Sequence, residues 1–520
     1  MIFDVLIRNG AVIDGSGSSA RSVDVGIADG VIEAVDRLDN ARSQLTIEAD
    51  GMVVAPGFID SHAHSDVMML ADPQHAPKLL QGVTTEVLGQ DGLSYAPLSA
   101  DNLQLYRRYL AGLNTSLDVG WNWSSVAEYR ARFDGHVAIN TAYLIPHGAI
   151  RLEVVGMEDV PLVGDDLRRA QRMVERGMEE WGVGFSTGLA YYPQVYSDTH
   201  ELIELCRPAA GGVFAPHLRT IFRGEHFDPV QEAMDISSGS GIALHLTHFG
   251  PGWDISMVDR AKADGLDVTF DAYPYFSGSS TLMAFLPPWA QVGGPDEILE
   301  RLADPELRER MEGEVAGVRI ANRIKSWSDM MISHAPSTTN NHLVGLTIPE
   351  AAEARGFETC EEFVCRILLE ENLEVGHRMP PPPDDVVEAG SEKYMKLLER
   401  EDYAVSSDSI LAGDKPHPRA FGTFPKVLGP LRRRYGNSLE ELINRMTGLP
   451  ASRFGFTDRG LIRPGKAADV VVFDPDLVTD TATYDEPKSH PEGIEHVVVN
   501  GRIAVENGCP TGVLAGRALP

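Results

Sequence analysis

The stretch VVAPGFIDSHAH (53–64) runs from apolar residues through a Pro-Gly turn into two histidines. Four others share its form: VTTEVLGQDG (83–92), GVFAPHLR (212–219), IALHLTHFG (242–250) and YAVSSDS (403–409). Each is a short, strand-like apolar run ending in imidazole or carboxylate. Strand ends so distant in sequence can form one site only where the fold gathers them. A parallel (β/α)8 barrel gathers them at its C-terminal rim. Between the clusters, residues 56–450 alternate short apolar runs with helical stretches such as 165–182 and 256–265. That rhythm is the one βα units give on a parallel sheet.

Outward from this middle, both ends read as β. DVLIRNGAVID (4–14) places two apolar runs around Asn9-Gly10, a hairpin signal, and HVVVNGRIAV (496–505) repeats it at Asn500-Gly501. ADVVVFD (468–474) reads as a further strand. The expectation is one small β-sandwich built from 1–55 and 451–520, flanking a barrel over 56–450. That barrel is longer than the roughly 250 residues of a plain one. The stretch 287–345 breaks the strand rhythm with a charged helix and is expected to be a helical insertion near the mouth; PPPPDD (380–385) reads as a loop.

Composition narrows the function classes. The 520 residues carry a net charge of −31, which argues against nucleic acid or an anionic membrane as partner. No apolar run approaches the roughly 20 residues of a membrane span. No signal segment is visible at MIFDVLIRNG, and the four cysteines (206, 360, 365, 509) show no metal or disulfide spacing. A cytoplasmic protein with free thiols is expected. Its partner would be a small molecule, and self-association is left open.

His62 and His64 stand at i and i+2, which in extended chain places both rings on one face, with Asp60 beside them. Two imidazoles so placed can hold one divalent ion; a polar turn with solvated histidines is the plain alternative. His217 and His248 each stand near the end of an apolar run. By period-2 alternation His245 and His248 lie on opposite faces. His248, nearer the strand end, is the candidate ligand, and His245 a packed or supporting residue. Asp408 could bind metal and accept a proton, or simply cap a helix. Asp91 could complete a metal site, or form an Asp-Gly turn. Together they offer only nitrogen and oxygen, a donor set that suits Zn, Mn, Fe or Co.

At this point the sequence resembles the amidohydrolase superfamily, in its D-aminoacylase (N-acyl-D-amino-acid deacylase) branch. GFIDSHAHSD resembles the superfamily's first-strand HxH. FSTGLAYYP (185–193), DAYPYFSGSSTL (271–282), HPRAFGTFPKVLG (417–429) and RPGKAADVVVFDP (463–475) resemble further segments, along nearly the whole chain. The resemblance implies a distorted (β/α)8 barrel, a terminal β-sandwich and one or two divalent ions, zinc first. His62 and His64 would serve one metal position, and His217 and His248 the other. Asp408 would be general base, then acid, with metal-activated water. Tyr191, Arg419 and Tyr275 would hold the substrate.

Two departures stand out. The branch often has Cys in a GNCG-like turn where this chain has Asp91, and SHxK where this chain has Thr247-His248-Phe249-Gly250. Hydrolysis of a small-molecule amide, foremost an N-acyl-D-amino acid, is the expected function. The missing lysine keeps open a cyclic amide, imide, carbamate or ester without a carboxylate. A non-catalytic binding protein on the same barrel is the remaining alternative.

Overall fold

The computed structural model describes residues 2–220 and 227–520. Eight strands run parallel and in chain order: β1 (Phe58–Asp60), β2 (Val83–Leu88), β3 (Asn140–Pro146), β4 (Gly184–Gly188), β5 (Val213–His217), β6 (Ala243–Leu246), β7 (Val268–Ala272) and β8 (Tyr403–Val405). The sheet closes just beyond the ends of β8 and β1. There Ala63 pairs in parallel with Ser409. Asp408 N–H donates to the His62 carbonyl at 2.8 Å, and His64 N–H to the Ser409 carbonyl at 3.0 Å. The closing seam therefore consists of the residues expected to do chemistry.

Alternation along the strands sorts the two faces. Ile59, Val87, Leu144, Val213 and Ala215 meet inside the barrel, with Phe454 and Phe456 packed into the same cluster. Phe58 faces outward and stacks on Phe424, ring centroids 5.8 Å apart. β2 and β3 are buried along their whole length, as strands covered on both faces are.

The two chain ends form two further sheets. Asp24–Ala28 and Arg42–Glu48 flank Ile2–Arg8 in one of them, with Val31–Asp36 at its edge. In the other, Val53–Pro56 lies beside Val470–Phe473, followed by Ile494–Val499 and Arg502–Glu506. Val5, Ile27, Val54, Val470 and Val498 share one core. Asn500-Gly501, both at positive φ, makes the expected two-residue hairpin. Asn9-Gly10 does not. Asn9 has φ 61° and donates its N–H to Asp24 Oδ1 at 3.1 Å, and a Cβ on Gly10 would lie 2.5 Å from Val54 Cγ2. The dipeptide is a corner that passes the chain from one sheet to the other.

Residues 287–345 belong to a longer excursion that occupies the whole interval between β7 and β8. Its charged run is two helices, Pro295–Ala303 and Pro305–Ala321, separated at Asp304, whose carboxylate accepts the Glu306 and Leu307 N–H groups. The excursion also holds a three-stranded antiparallel sheet of Ser279–Thr281, Gly376–Arg378 and Met331–His334. Its first strand borders the chamber described next. Among the described residues no helix is long and apolar enough to cross a membrane.

Candidate metal centre

The five sequence clusters converge at the C-terminal end of the barrel. His62, His64 and Asp91 present donor atoms within 4.8 Å of one another, and so do Asp91, His217 and His248. Asp91 belongs to both groups. Its Oδ1 lies 3.7 Å from His62 Nε2 and 3.9 Å from His248 Nε2. Its Oδ2 lies 3.5 Å from His64 Nε2 and 3.4 Å from His217 Nδ1. Each carboxylate oxygen thus faces one ring from each pair. Asp408 Oδ1 stands 3.6 Å from His62 Nε2 and 3.4 Å from His64 Nε2. Its Oδ2 takes an ion pair from Arg419 at 3.1 Å.

Local backbone explains how these side chains reach the axis. Asp91, His248 and Asp408 all have positive φ, at 55°, 38° and 46°. Non-glycine residues held there cost about 1–3 kcal/mol each and persist only where their surroundings fix them. Here the surroundings do. Asp91 sits in a turn opened by Gly89, and Gly92 N–H donates to Ser186 Oγ at 3.0 Å. Gln194 Nε2 donates to the Asp91 carbonyl at 3.1 Å. His248 lies past the end of β6, its N–H donating to Asp271 Oδ1 at 2.8 Å. The same Asp271 accepts Ser61 Oγ and Ser406 Oγ, each at 2.9 Å, and His245 Nε2 at 2.9 Å. Burial pushes the Asp271 carboxyl up, but His245 and the other partners bring it down to about 2. His245 is accordingly a supporting residue.

Gly89 makes this arrangement testable. Its φ is +78°, and a Cβ there would lie 2.3 Å from the Leu144 carbonyl oxygen. Gly89→Ala is expected to cost about 1–3 kcal/mol of stability. It should weaken zinc binding as well, because the turn carries Asp91. Thermal melts and a zinc titration of the same preparation check both.

The electrostatics suit a cation. His62 and His64 ring nitrogens face each other at 3.3 Å, and those of His217 and His248 at 3.0 Å. Among the described residues, Asp91 Oδ1 is buried without a hydrogen-bond partner. Burial raises the Asp91 carboxyl, yet His62 and His217 outweigh it and hold it well below the usual range. Burial lowers the His64 ring, but Asp408 and Asp91 carry it up to about 10. Positive charge between these groups is favoured. Burial and His217 push His248 down to about 4, which leaves a neutral imidazole able to donate its lone pair. Buried nitrogen and oxygen donors around an unpartnered carboxylate oxygen fit a divalent ion.

A chamber of about 160 Å³ opens over these groups, walled by Leu93, Leu113, Tyr191, Tyr273, Ile410 and Arg419. A larger cavity, about 470 Å³, lies around Arg453 and Phe454, where none of the converging imidazoles reach. Tyr191 hydroxyl meets Ser280 Oγ at 3.2 Å. Arg419 is buried and lies over the Tyr273 ring at 4.5 Å, its backbone N–H donating to His417 Nδ1 at 3.1 Å.

Two sequence expectations need correction. Tyr275 does not wall the chamber; it packs edge-on against His417 with Lys426 over its ring, and Tyr273 takes the place at the chamber wall. Asp60 does not share the face of His62 and His64. β1 ends at Asp60 and Ile59 points inward, so Asp60 points out, where it meets Lys78. Period-2 reasoning failed because the histidines lie in the turn beyond the strand. Lys78 itself was missed. Its only signal was a lone charge in the apolar stretch APKLL (76–80).

Comparison with known proteins agrees with the geometry. The model of the amidohydrolase family matches residues 45–175 and 352–505. D-aminoacylase of Alcaligenes xylosoxydans xylosoxydans is 33% identical, over 99% of this chain and 97% of that one. N-acyl-D-glutamate deacylase of the same organism is 31% identical, over 99% and 96%. Among solved structures, a D-aminoacylase superposes with TM-score 0.79 at 30% identity, covering 99% of both chains. The N-acyl-D-glutamate deacylase of Bordetella bronchiseptica, solved with zinc and a phosphonate mimic of the tetrahedral intermediate, gives 0.80 at 30% identity over 100% of both. An eight-stranded barrel whose strand ends converge on four histidines and two aspartates, matched along its full length, makes this chain a member of the amidohydrolase family, in the branch that holds D-aminoacylase.

Proposed function

We propose that the protein is a metal-dependent deacylase that hydrolyses the amide bond of N-acyl-D-amino acids. The observation that carries this reading is the convergence of two three-donor groups on Asp91, with Asp408 poised beside them and paired to Arg419. His62, His64, Asp91, His217 and His248 would hold one or two divalent ions, zinc foremost. A bound ion supplies a Lewis acid for the amide carbonyl and makes water a better nucleophile at neutral pH.

The chain's own groups do the rest. Arg419 and the imidazoles hold the Asp408 carboxyl well below its usual range against the push of burial, so it is ionised and ready to accept a proton. Asp408 takes a proton from water as the water oxygen bonds to the carbonyl carbon. It returns that proton to the amide nitrogen as the C–N bond breaks, leaving a carboxylic acid and a free amine. Tyr191 and Tyr273 bound the substrate, and the buried Arg419 brings positive charge to the chamber wall.

The test is amine release from paired N-acetyl-D- and N-acetyl-L-methionine by the zinc-replete enzyme. The reading predicts release from the D form at least about 100-fold faster, a difference of roughly 2.7 kcal/mol in the barrier. No release from either form would overturn it.

One observation favours a second reading, hydrolysis of neutral or cyclic amides. Arg419 is already engaged by Asp408, and among the described residues a Cβ added at Gly250 would meet only Ala272 Cβ, at 3.7 Å. No lysine stands there to grip a substrate carboxylate. Faster turnover of N-acetyl-D-methionine amide than of the free acid would select this reading.

A further inference from the structure

Outside the ligand set lies a buried ionic cluster that the chemistry above does not use. Lys78, Asp60, Glu86 and Ser407 are all 0% exposed. Lys78 Nζ donates to Asp60 Oδ2 and to Ser407 Oγ, and lies 3.4 Å from Glu86 Oε1. Glu86 Oε1 is also 3.2 Å from His75 Nε2 and accepts Ser65 Oγ at 3.3 Å.

The Asp60 carboxylate is shared by the two sides of the barrel seam. Its Oδ1 accepts Ser407 N–H at 2.9 Å and His62 N–H at 3.3 Å. Its Oδ2 accepts the Ser407 hydroxyl at 2.5 Å. Ser407 precedes Asp408, whose left-handed backbone needs outside support. The helix that carries Lys78, Ala76–Leu79, is followed two residues on by Gln81, which grips the Arg419 helix. Gln81 Nε2 donates to the Ala420 carbonyl at 2.9 Å, and Phe424 N–H to Gln81 Oε1 at 3.3 Å. One short segment thus buttresses both members of the Asp408–Arg419 pair.

We propose that Lys78 is a positioning residue: as buried counter-ion of Asp60 it locks the Ser407–Asp408 turn onto the strand end that leads into His62 and His64. This rests on the reading of Asp408 as proton carrier. A carboxylate left in this interior without its cation is strongly unfavourable, whereas removal of both charges is tolerated far better. The two effects of Lys78, on stability and on the turn, can therefore be separated.

The experiment compares Lys78→Met, the pair Asp60→Asn/Lys78→Met, Ser407→Ala and Asp408→Asn for Tm, zinc affinity by chelator competition, and kcat and KM on N-acetyl-D-methionine. Lys78→Met should lower Tm and reduce kcat or zinc affinity about 10- to 100-fold, the range for residues that orient ligands. The charge-free pair should regain Tm and leave kcat low. Ser407→Ala keeps the ion pair; it should lower kcat about tenfold with Tm and KM near wild type, on the scale of lost orientation. Recovery of kcat together with Tm in the pair would overturn the proposal. So would wild-type kcat and zinc affinity in both Ser407→Ala and Lys78→Met. Wild-type kcat in Asp408→Asn would instead remove the reading of Asp408 beneath it.

Discussion

Replacing Asp408 with asparagine is expected to lower kcat by about 10³-fold, within the 10²–10⁴ that positioned acid–base groups supply. Asparagine keeps the size of the side chain and an oxygen for Arg419, but it cannot take and return a proton at neutral pH. Asp408 is the carboxylate that faces His62 and His64 on one oxygen and Arg419 on the other. The other carboxylate of the site, Asp91, is surrounded by four imidazoles and has no comparable freedom to exchange a proton. Steady-state kinetics on N-acetyl-D-methionine check the prediction, with zinc content measured on the same sample. A kcat within tenfold of wild type, at equal zinc content, would assign the proton transfer elsewhere.

Asp91→Ala is expected to have the second large effect. Because Asp91 is common to both donor groups, one substitution removes a donor from each. His248→Ala weakens only one. Metal analysis should therefore find less zinc in Asp91→Ala than in His248→Ala. Activity should fall by at least about 100-fold, beyond the loss typical of residues that merely orient ligands. Asp91→Cys offers a sharper contrast. A thiolate favours zinc over manganese, whereas a carboxylate accepts both. The variant should keep zinc and bind manganese more weakly than wild type. Equal zinc content in Asp91→Ala and wild type would remove Asp91 from the ligand set.

Much of this site was legible in the sequence because barrel chemistry sits at strand ends. An apolar run that stops at His217 or just before His248 marks both the strand and the candidate donor that ends it. The flanking Asn500-Gly501 hairpin was readable for a similar reason, since local turn chemistry alone determines it. What was not legible depends on long-range packing. Asn9-Gly10 has the same local chemistry, yet Val54 packs against it and the chain turns into another sheet. Asp60 was placed on the wrong face because its strand stops one residue before the turn that carries the histidines. Lys78 was invisible because its partners, Asp60 and Ser407, come from the first and last strands of the barrel and meet only when it closes. Tyr273 and Tyr275 have the same parity and the same residue type, and long-range packing separates them: Arg419 lies over Tyr273 at the chamber wall, whereas His417 and Lys426 hold Tyr275 aside.

On this reading His62, His64, Asp91, His217 and His248 hold the divalent ion, and Asp408 moves the proton. Metal dependence is measured by stripping the purified enzyme with chelator, then titrating zinc back while following bound metal and amine release from N-acetyl-D-methionine together. The stripped enzyme should give no measurable release, and activity should return in step with the first tightly bound zinc. Undiminished release by enzyme shown to be free of metal would contradict this reading.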